Sequence, residues 1–143
     1  QLLFESSDEM GETQGMGLLP GRVTKIKRQD AAQQGRCATG MLPAASHVSR
    51  RTQHVLKIPH IGWNQLDVVR DHPLVRDLPS GSYAYFVHSY AIYPEDQDIV
   101  LATTDYGGPF ASIVGRGHVC GLQFHPEKSQ AVGLKLLKNF LEM

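Results

Sequence analysis

The sequence is poor in three features that would point to particular environments or partners. It has only two cysteines, Cys37 and Cys120, which cannot form a disulfide framework and favour a reducing, cytoplasmic location. No apolar run approaches the roughly 18 residues that span a bilayer, and no signal peptide is visible. Lys plus Arg and Asp plus Glu number 14 each. With a net charge of zero, the composition favours neither nucleic acid nor an anionic membrane as partner.

What is present suits one domain over residues 1–143, since 41% of the residues are apolar, enough for a core. Residues 28–54 differ, being polar and rich in Ala, Gln, Ser and Arg, and we interpret them as an exposed insertion or mobile loop. A metal site is conceivable from four potential ligands, Cys37, His47, His54 and His60. Their spacing matches no zinc pattern. We predict neither a metal nor a cofactor.

The order of the elements predicts an α/β or α+β fold with a mixed sheet. Residues 1–11 read as the end of a helix, with Phe4 buried and Gly11 as its cap. Alternating, β-branched and aromatic runs predict strands over 22–27, 82–93, 98–106, 110–116 and 118–125. The tight reversal at Gly115-Arg116-Gly117 predicts that the last two form a hairpin. His72 and Pro73 begin a single helical turn. Ser129 is the expected N-cap of an amphipathic helix over 129–143.

The tripeptide His125-Pro126-Glu127, between the last strand and this helix, is the main candidate for chemistry. Proline keeps the preceding residue extended and fixes its own φ, so His125 lies in a stiff segment. Glu127 can fold back and hydrogen bond one imidazole nitrogen, which leaves the other free to accept a proton from a nucleophile. Without its context, the same tripeptide is better interpreted as a surface loop with an acid near a helix N-terminus.

The context resembles a known family. "QFHPEKS" is similar to the His-x-Glu motif of class I glutamine amidotransferases, which use a Cys-His-Glu triad. Further stretches resemble the glutaminase subunits of imidazole glycerol phosphate synthase, of histidine biosynthesis: "PHIGWNQL" (59–66), "YFVHSY" (85–90), "LKLLKNFL" (134–141), "QLLFESS" and "GMGLLPG". The resemblance covers nearly everything except 28–54. It implies a flavodoxin-like α/β fold, a mixed sheet flanked by helices, of which this chain is the C-terminal part without the first strands.

The resemblance also implies roles for individual residues. His125 would be the general base and Glu127 its orienting acid. His88, Ser89 and Tyr90 would hold the α-amino and carboxylate end of L-glutamine, although His88 fits a buried strand end equally well. The nucleophile motif of the family runs Gly-x-Cys-x-Gly-x-Gln-x-Leu, so Gln1 would be its Gln, near the bound glutamine. The nucleophile would then lie outside this chain, which we expect to be inactive alone.

A partner follows from the same resemblance. Family members pass ammonia to a (β/α)8-barrel synthase subunit rather than to solvent. Trp63, Asn64 and Lys128 would face that subunit, an exposed Trp being a suitable interface anchor. A buried Trp63 and a merely solvated Lys128 are the competing interpretations.

Two alternatives remain open at this point. One is a class I glutaminase of another pathway, such as anthranilate or aminodeoxychorismate synthesis, which "GWN" and "FVHSY" disfavour. The other is a non-catalytic binding or scaffold protein that keeps the pocket and the partner face but lacks the chemistry.

Overall fold

The computed structural model describes residues 3–27 and 56–143. Several sequence predictions fall outside these residues. They are the substrate contact at Gln1, the insertion at 28–54, and three of the four members of the conceivable metal set, Cys37, His47 and His54.

The described residues form a mixed sheet with a helix at the end of the chain, as the sequence predicts. Its strands are β1 Phe4–Ser7, β2 Thr13–Gln14, β3 Leu19–Lys25, β4 His60–Val68, β5 Ser82–His88, β6 Tyr90–Pro94, β7 Val100–Asp105, β8 Pro109–Arg116 and β9 Val119–Leu122. Their order is β2-β1-β3-β6-β8-β7-β4-β5, with β9 paired to β8. Within the described ranges, β1 and β3 are the one parallel pair.

One α-helix, α1 Gln130–Leu141, lies within the described part of the chain, together with short 3-10 turns at Pro73–Val75, Gln97–Ile99 and Pro126–Lys128. None of the helices described is long and apolar enough to cross a membrane. The first turn begins as predicted. His72 is extended, its Nδ1 accepts a hydrogen bond from the Leu74 amide at 3.2 Å, and Pro73 occupies the first position.

The prediction of a helix end over residues 1–11 is wrong for the described residues, because Phe4–Ser7 is a strand. Phe4 is buried, as expected, but it packs into a cluster with Leu19 and Val23 of β3. Four residues are too few to distinguish a helical from a strand period, and the pairing with β3 that decides the matter is non-local.

The helix α1 also differs from its predicted pattern. Leu136 is fully buried, whereas Leu137, Phe140 and Leu141 are exposed. The buried position between them belongs to Asn139, whose amide donates to the Leu74 and Arg76 carbonyls at 2.8 Å each. These two bonds tie the helix to the turn that follows β4, and they satisfy the buried Nδ2 of Asn139. Its Oδ1 is also buried but has no hydrogen-bond partner among the described residues.

The antiparallel pair β4–β5 positions the candidate site. Their register joins His60 to His88, Trp63 to Tyr85 and Leu66 to Ser82. Because successive side chains alternate between faces, the inner face carries Leu66 and Phe86 into the main core. The outer face carries Trp63 and Tyr85, and Lys128 Nζ lies over the Tyr85 ring there. The His125 segment runs along the edge of β5, where it bonds the backbone of Tyr85.

Candidate active site

His125 and Glu127 lie together beside β5, at the edge of the sheet. His125 is extended, with φ −90° and ψ 101°, and Pro126 opens the 3-10 turn that carries Glu127 back toward it. The distance from His125 Nδ1 to Glu127 Oε1 is 2.8 Å. A carboxylate can only accept hydrogen bonds, so Nδ1 is the donor and the neutral ring carries its proton there.

The other ring nitrogen of His125 is available. Among residues 3–27 and 56–143, no group forms a hydrogen bond with Nε2. The side chain is 42% exposed, so it is neither enclosed in the core nor fully turned into solvent. This is the arrangement that a proton acceptor needs: one nitrogen held and the other open.

Glu127 is held in its charged form. Its own backbone N–H, and then the hydrogen bond from His125, lower the pKa of the Glu127 carboxyl below its usual value. An ionised acceptor next to Nδ1 favours the Nδ1–H tautomer and would stabilise an imidazolium.

The His125 segment is fixed to β5 and to α1. The His125 amide donates to the Tyr85 carbonyl at 3.0 Å, and the Lys128 amide donates back to the His125 carbonyl at 3.1 Å. On the helix side, a Cβ at Gly133 would lie 1.8 Å from the Pro126 carbonyl oxygen. The first turn of α1 therefore touches the backbone of the loop at a position that has no room for a side chain.

The predicted substrate loop at residues 88–90 joins the end of β5 to the start of β6. Tyr85 and His88 are separated by about 10 Å at the usual rise of a strand. His88 is 7% exposed, and both of its ring nitrogens have partners: Nδ1 with the Tyr90 carbonyl at 2.9 Å and Nε2 with His60 Nδ1 at 2.9 Å. The Ser89 carbonyl accepts a hydrogen bond from the Ile26 amide at 2.9 Å. The loop is thus held from both sides.

His60 is a residue whose place the sequence reasoning missed. Its ring lies between Phe86 and Tyr106, with centroid distances of 5.0 and 3.8 Å, and it is 3% exposed. The Tyr90 carbonyl obliges His88 Nδ1 to donate, so His88 Nε2 accepts from His60 Nδ1. The histidines of "PHIG" and "FVHS" both lie on strands, and the register of these strands places them opposite each other. The sequence alone does not give that register, so it could not predict the contact between His60 and His88.

Burial sets the protonation of this pair. It lowers the pKa of His60 from 6.5 to about 4, with the neighbouring His88 as the second cause. Burial also lowers the pKa of His88, although its hydrogen bond to the Tyr90 carbonyl opposes this. Both rings are neutral near pH 7, and the remaining nitrogen of His60 accepts from Asn64 Nδ2 at 3.3 Å.

Trp63 and Asn64 lie on opposite faces of β4, as consecutive strand residues must. Trp63 is 47% exposed and its ring meets that of Tyr85 edge-on at 5.8 Å. Lys128 Nζ lies 5.9 Å from the centre of the Tyr85 ring. Asn64 instead points inward, toward His60 and the Asp105 carbonyl. We call the outer surface of this strand pair the aromatic face, formed by Ile61, Trp63, Tyr83, Tyr85 and Val87.

Cys120 is not an activated thiol. It lies in β9 opposite Gly115, its Sγ faces the Gly117 carbonyl at 4.0 Å, and burial raises its pKa. A nucleophilic cysteine needs the opposite shift. Within the described residues no group of three or more His, Cys, Asp or Glu side chains is placed to hold a metal ion.

The comparison with known proteins decides the family. The model of the class-I glutamine amidotransferases matches residues 25–143. This chain belongs to the class I glutamine amidotransferases. Its His125-Pro126-Glu127 segment and the strands that support it all lie within the part that the family model matches.

This amidotransferase chain is also similar to curated proteins named imidazole glycerol phosphate synthase subunit HisH. It is 46% identical to the one from Syntrophotalea carbinolica over 143 residues, all of this chain and 60% of that protein. The corresponding protein of Salinibacter ruber is 46% identical over 98% of this chain and 56% of its own length. That of Azospirillum brasilense is 43% identical over 99% and 62%. The chain thus spans about 60% of the length of these relatives.

Proposed function

We propose that this chain provides the acid–base half of a glutaminase that hydrolyses L-glutamine within an imidazole glycerol phosphate synthase. The observation that carries the proposal is the 2.8 Å contact between His125 Nδ1 and the ionised Glu127, with His125 Nε2 left open. The similarity to three HisH proteins supports the choice of this enzyme over other class I glutaminases.

The proposed chemistry assigns His125 as the base and Glu127 as its orienting acid. His125 Nε2 takes the proton of a cysteine thiol, and the thiolate attacks the side-chain amide carbon of glutamine. The carbon–nitrogen bond breaks as the imidazolium returns its proton to the departing ammonia. Nε2 then takes a proton from water, whose oxygen attacks the thioester carbon. The carbon–sulfur bond breaks to give glutamate, and the imidazolium returns its proton to the departing cysteine sulfur. Throughout, Glu127 keeps the ring in one tautomer and stabilises its charged form.

We propose that the thiol is not that of Cys120, because burial keeps it protonated. The resemblance places the nucleophile ahead of Gln1, so we expect no ammonia release by these 143 residues alone. The part of the relatives that this chain does not match would supply the cysteine.

For the substrate, we propose that residues 88–90 contact the amino-acid end of glutamine through backbone groups and the Ser89 and Tyr90 side chains. Both ring nitrogens of His88 already have hydrogen-bond partners, His60 and the Tyr90 carbonyl. His88 would therefore hold the loop in place rather than contact glutamine directly. Gln1, the other substrate contact that the resemblance implies, lies outside the described residues.

For the partner, we propose that the aromatic face binds the synthase subunit, expected to be a (β/α)8 barrel. Trp63 and Lys128 flank Tyr85 on this face, and exposed aromatic side chains of this kind are typical interface anchors. Asn64 lies on the inner face of β4, where its amide hydrogen bonds His60 and the Asp105 carbonyl. We propose that it supports the strand from that side and does not contact the partner.

A chimeric enzyme tests the proposal. This chain replaces the segment of the Syntrophotalea carbinolica protein that it matches, and ammonia release from glutamine is measured with that protein's synthase partner present. We expect turnover in the chimera and a loss of at least about 100-fold on His125→Ala. His118→Ala, at an exposed turn residue, is the matched control and should leave turnover unchanged.

Each other outcome has a meaning. Full turnover in the His125→Ala chimera would contradict the assignment of the base. A chimera that binds the partner but never hydrolyses glutamine would favour the non-catalytic scaffold. Ammonia release by the 143 residues alone, abolished by Cys120→Ser, would mean that the nucleophile has been misplaced.

A further inference from the structure

Ser129 sits where an N-cap is expected but does not act as one. It precedes α1, yet its side chain makes no capping hydrogen bond to the helix. It is 1% exposed, and its hydroxyl is turned back toward the loop. The hydroxyl donates to the His125 carbonyl at 2.7 Å and accepts from the Tyr85 amide at 3.0 Å. The usual reason for a serine at this position therefore does not account for it.

These contacts complete a closed ring of hydrogen bonds between the loop and β5. The Tyr85 carbonyl accepts a hydrogen bond from the His125 amide, and the Tyr85 amide donates one to Ser129 Oγ. The Ser129 hydroxyl in turn donates to the His125 carbonyl. Both backbone groups of His125 are thereby fixed relative to one residue of the sheet. The 3-10 turn alone would fix only the carbonyl, through the Lys128 amide.

We propose that Ser129 is a positioning residue for the His125 imidazole, acting through this ring of hydrogen bonds. The inference rests on the proposed role of His125 as the base. Ser129 touches neither substrate nor reacting atoms. Its hydroxyl determines where the Cα–Cβ bond of His125 points, and so whether Nδ1 meets Glu127 and Nε2 faces the thiol.

Loss of the hydroxyl has two consequences. The partly buried Tyr85 amide loses its acceptor, and the His125 carbonyl keeps only the bond from Lys128. Displacement of a catalytic group by about 1 Å lowers a rate by about 100-fold. In the chimeric enzyme, Ser129→Ala should therefore lower kcat by at least about 10-fold with the KM for glutamine nearly unchanged.

The test that needs no turnover is the tautomer of His125 in the 143-residue chain. Nitrogen NMR of the labelled protein at alkaline pH distinguishes an Nδ1–H ring from an Nε2–H ring. We expect Nδ1–H in the unaltered chain, a mixture shifted toward Nε2–H in Ser129→Ala, and recovery in Ser129→Thr, which restores a hydroxyl. Ser112→Ala is the matched control, because Ser112 is also fully buried but its hydroxyl has no hydrogen-bond partner among the described residues.

The outcomes separate the two proposals. An Nε2–H ring in the unaltered chain would contradict the proposed function itself. An Nδ1–H ring that is the same in the unaltered chain and in Ser129→Ala would overturn the role of Ser129 alone. If Ser129→Ala does not fold, Ser129→Cys keeps the side-chain size with a much weaker hydrogen bond, and an unchanged tautomer in it overturns the inference equally.

Discussion

Acid should destabilise this protein through His60, well before the carboxylates titrate. The ring is 3% exposed, stacked between two aromatic rings and bonded to a second buried histidine. Burial lowers its pKa to about 4, whereas in the unfolded chain the value is 6.5. Between these two values the unfolded chain binds a proton that the folded chain does not, so stability falls as the pH falls.

The magnitude follows from the two pKa values. The contribution is fully present above pH 6.5 and is lost as the pH approaches 4. At about 1.4 kcal/mol for each pH unit, the total is about 3 kcal/mol, of which about 2 kcal/mol is lost between pH 7 and pH 5. Burial of His88 acts in the same direction and adds to it. Such a loss is a large part of the stability of an ordinary domain.

Urea unfolding of the 143-residue chain at several pH values between 7 and 5 measures this directly. His60→Phe keeps an aromatic ring in the stack and removes the titrating group, so it should be less stable at pH 7 but less sensitive to pH. His118→Phe, at the exposed turn, is the control and should keep the full pH dependence. An identical pH dependence in His60→Phe and in the unaltered chain would refute the reasoning.

Two further substitutions have defined outcomes. Gly133→Ala would place a Cβ 1.8 Å from the Pro126 carbonyl oxygen, so either the helix or the loop must move. We expect the free energy of unfolding in urea to fall by about 1–3 kcal/mol and the NMR signal of His125 to change. An unchanged signal would contradict the contact. Trp63→Ala should weaken binding of the synthase subunit about 10-fold or more in calorimetry, with stability little changed. Leu141→Ala, exposed on α1, is its control, and equal effects of the two substitutions would argue against the aromatic face.

Local signals in the sequence predicted much of this fold. The turn at His72 and Pro73, the reversal after Gly115 and the helix that follows Ser129 depend on residues close together in the chain. The approach of Glu127 to His125 is local in the same way, since a proline between them leaves few alternatives.

The sequence failed where distant residues decide. The strand at Phe4–Ser7 exists through its pairing with β3, which no window of the sequence contains. The opposite faces of Trp63 and Asn64 become clear once the strand bounds are known, and the link from His60 to His88 needs the register of β4 and β5. Ser129 was expected as a helix cap, but its hydroxyl instead accepts a hydrogen bond from the Tyr85 amide, a donor 44 residues away in the chain.

We propose that Glu127 keeps the His125 ring in the tautomer that leaves Nε2 free to accept a proton. Glu127→Gln tests it most directly in the chimeric enzyme, because a carboxamide keeps the size of the side chain but can offer the wrong hydrogen-bonding group to Nδ1. We expect kcat for glutamine hydrolysis to fall by at least about 100-fold while KM stays nearly constant. Glu142→Gln, at an exposed position, is the control and should change neither. A Glu127→Gln enzyme with the kcat of the unaltered chimera would contradict it.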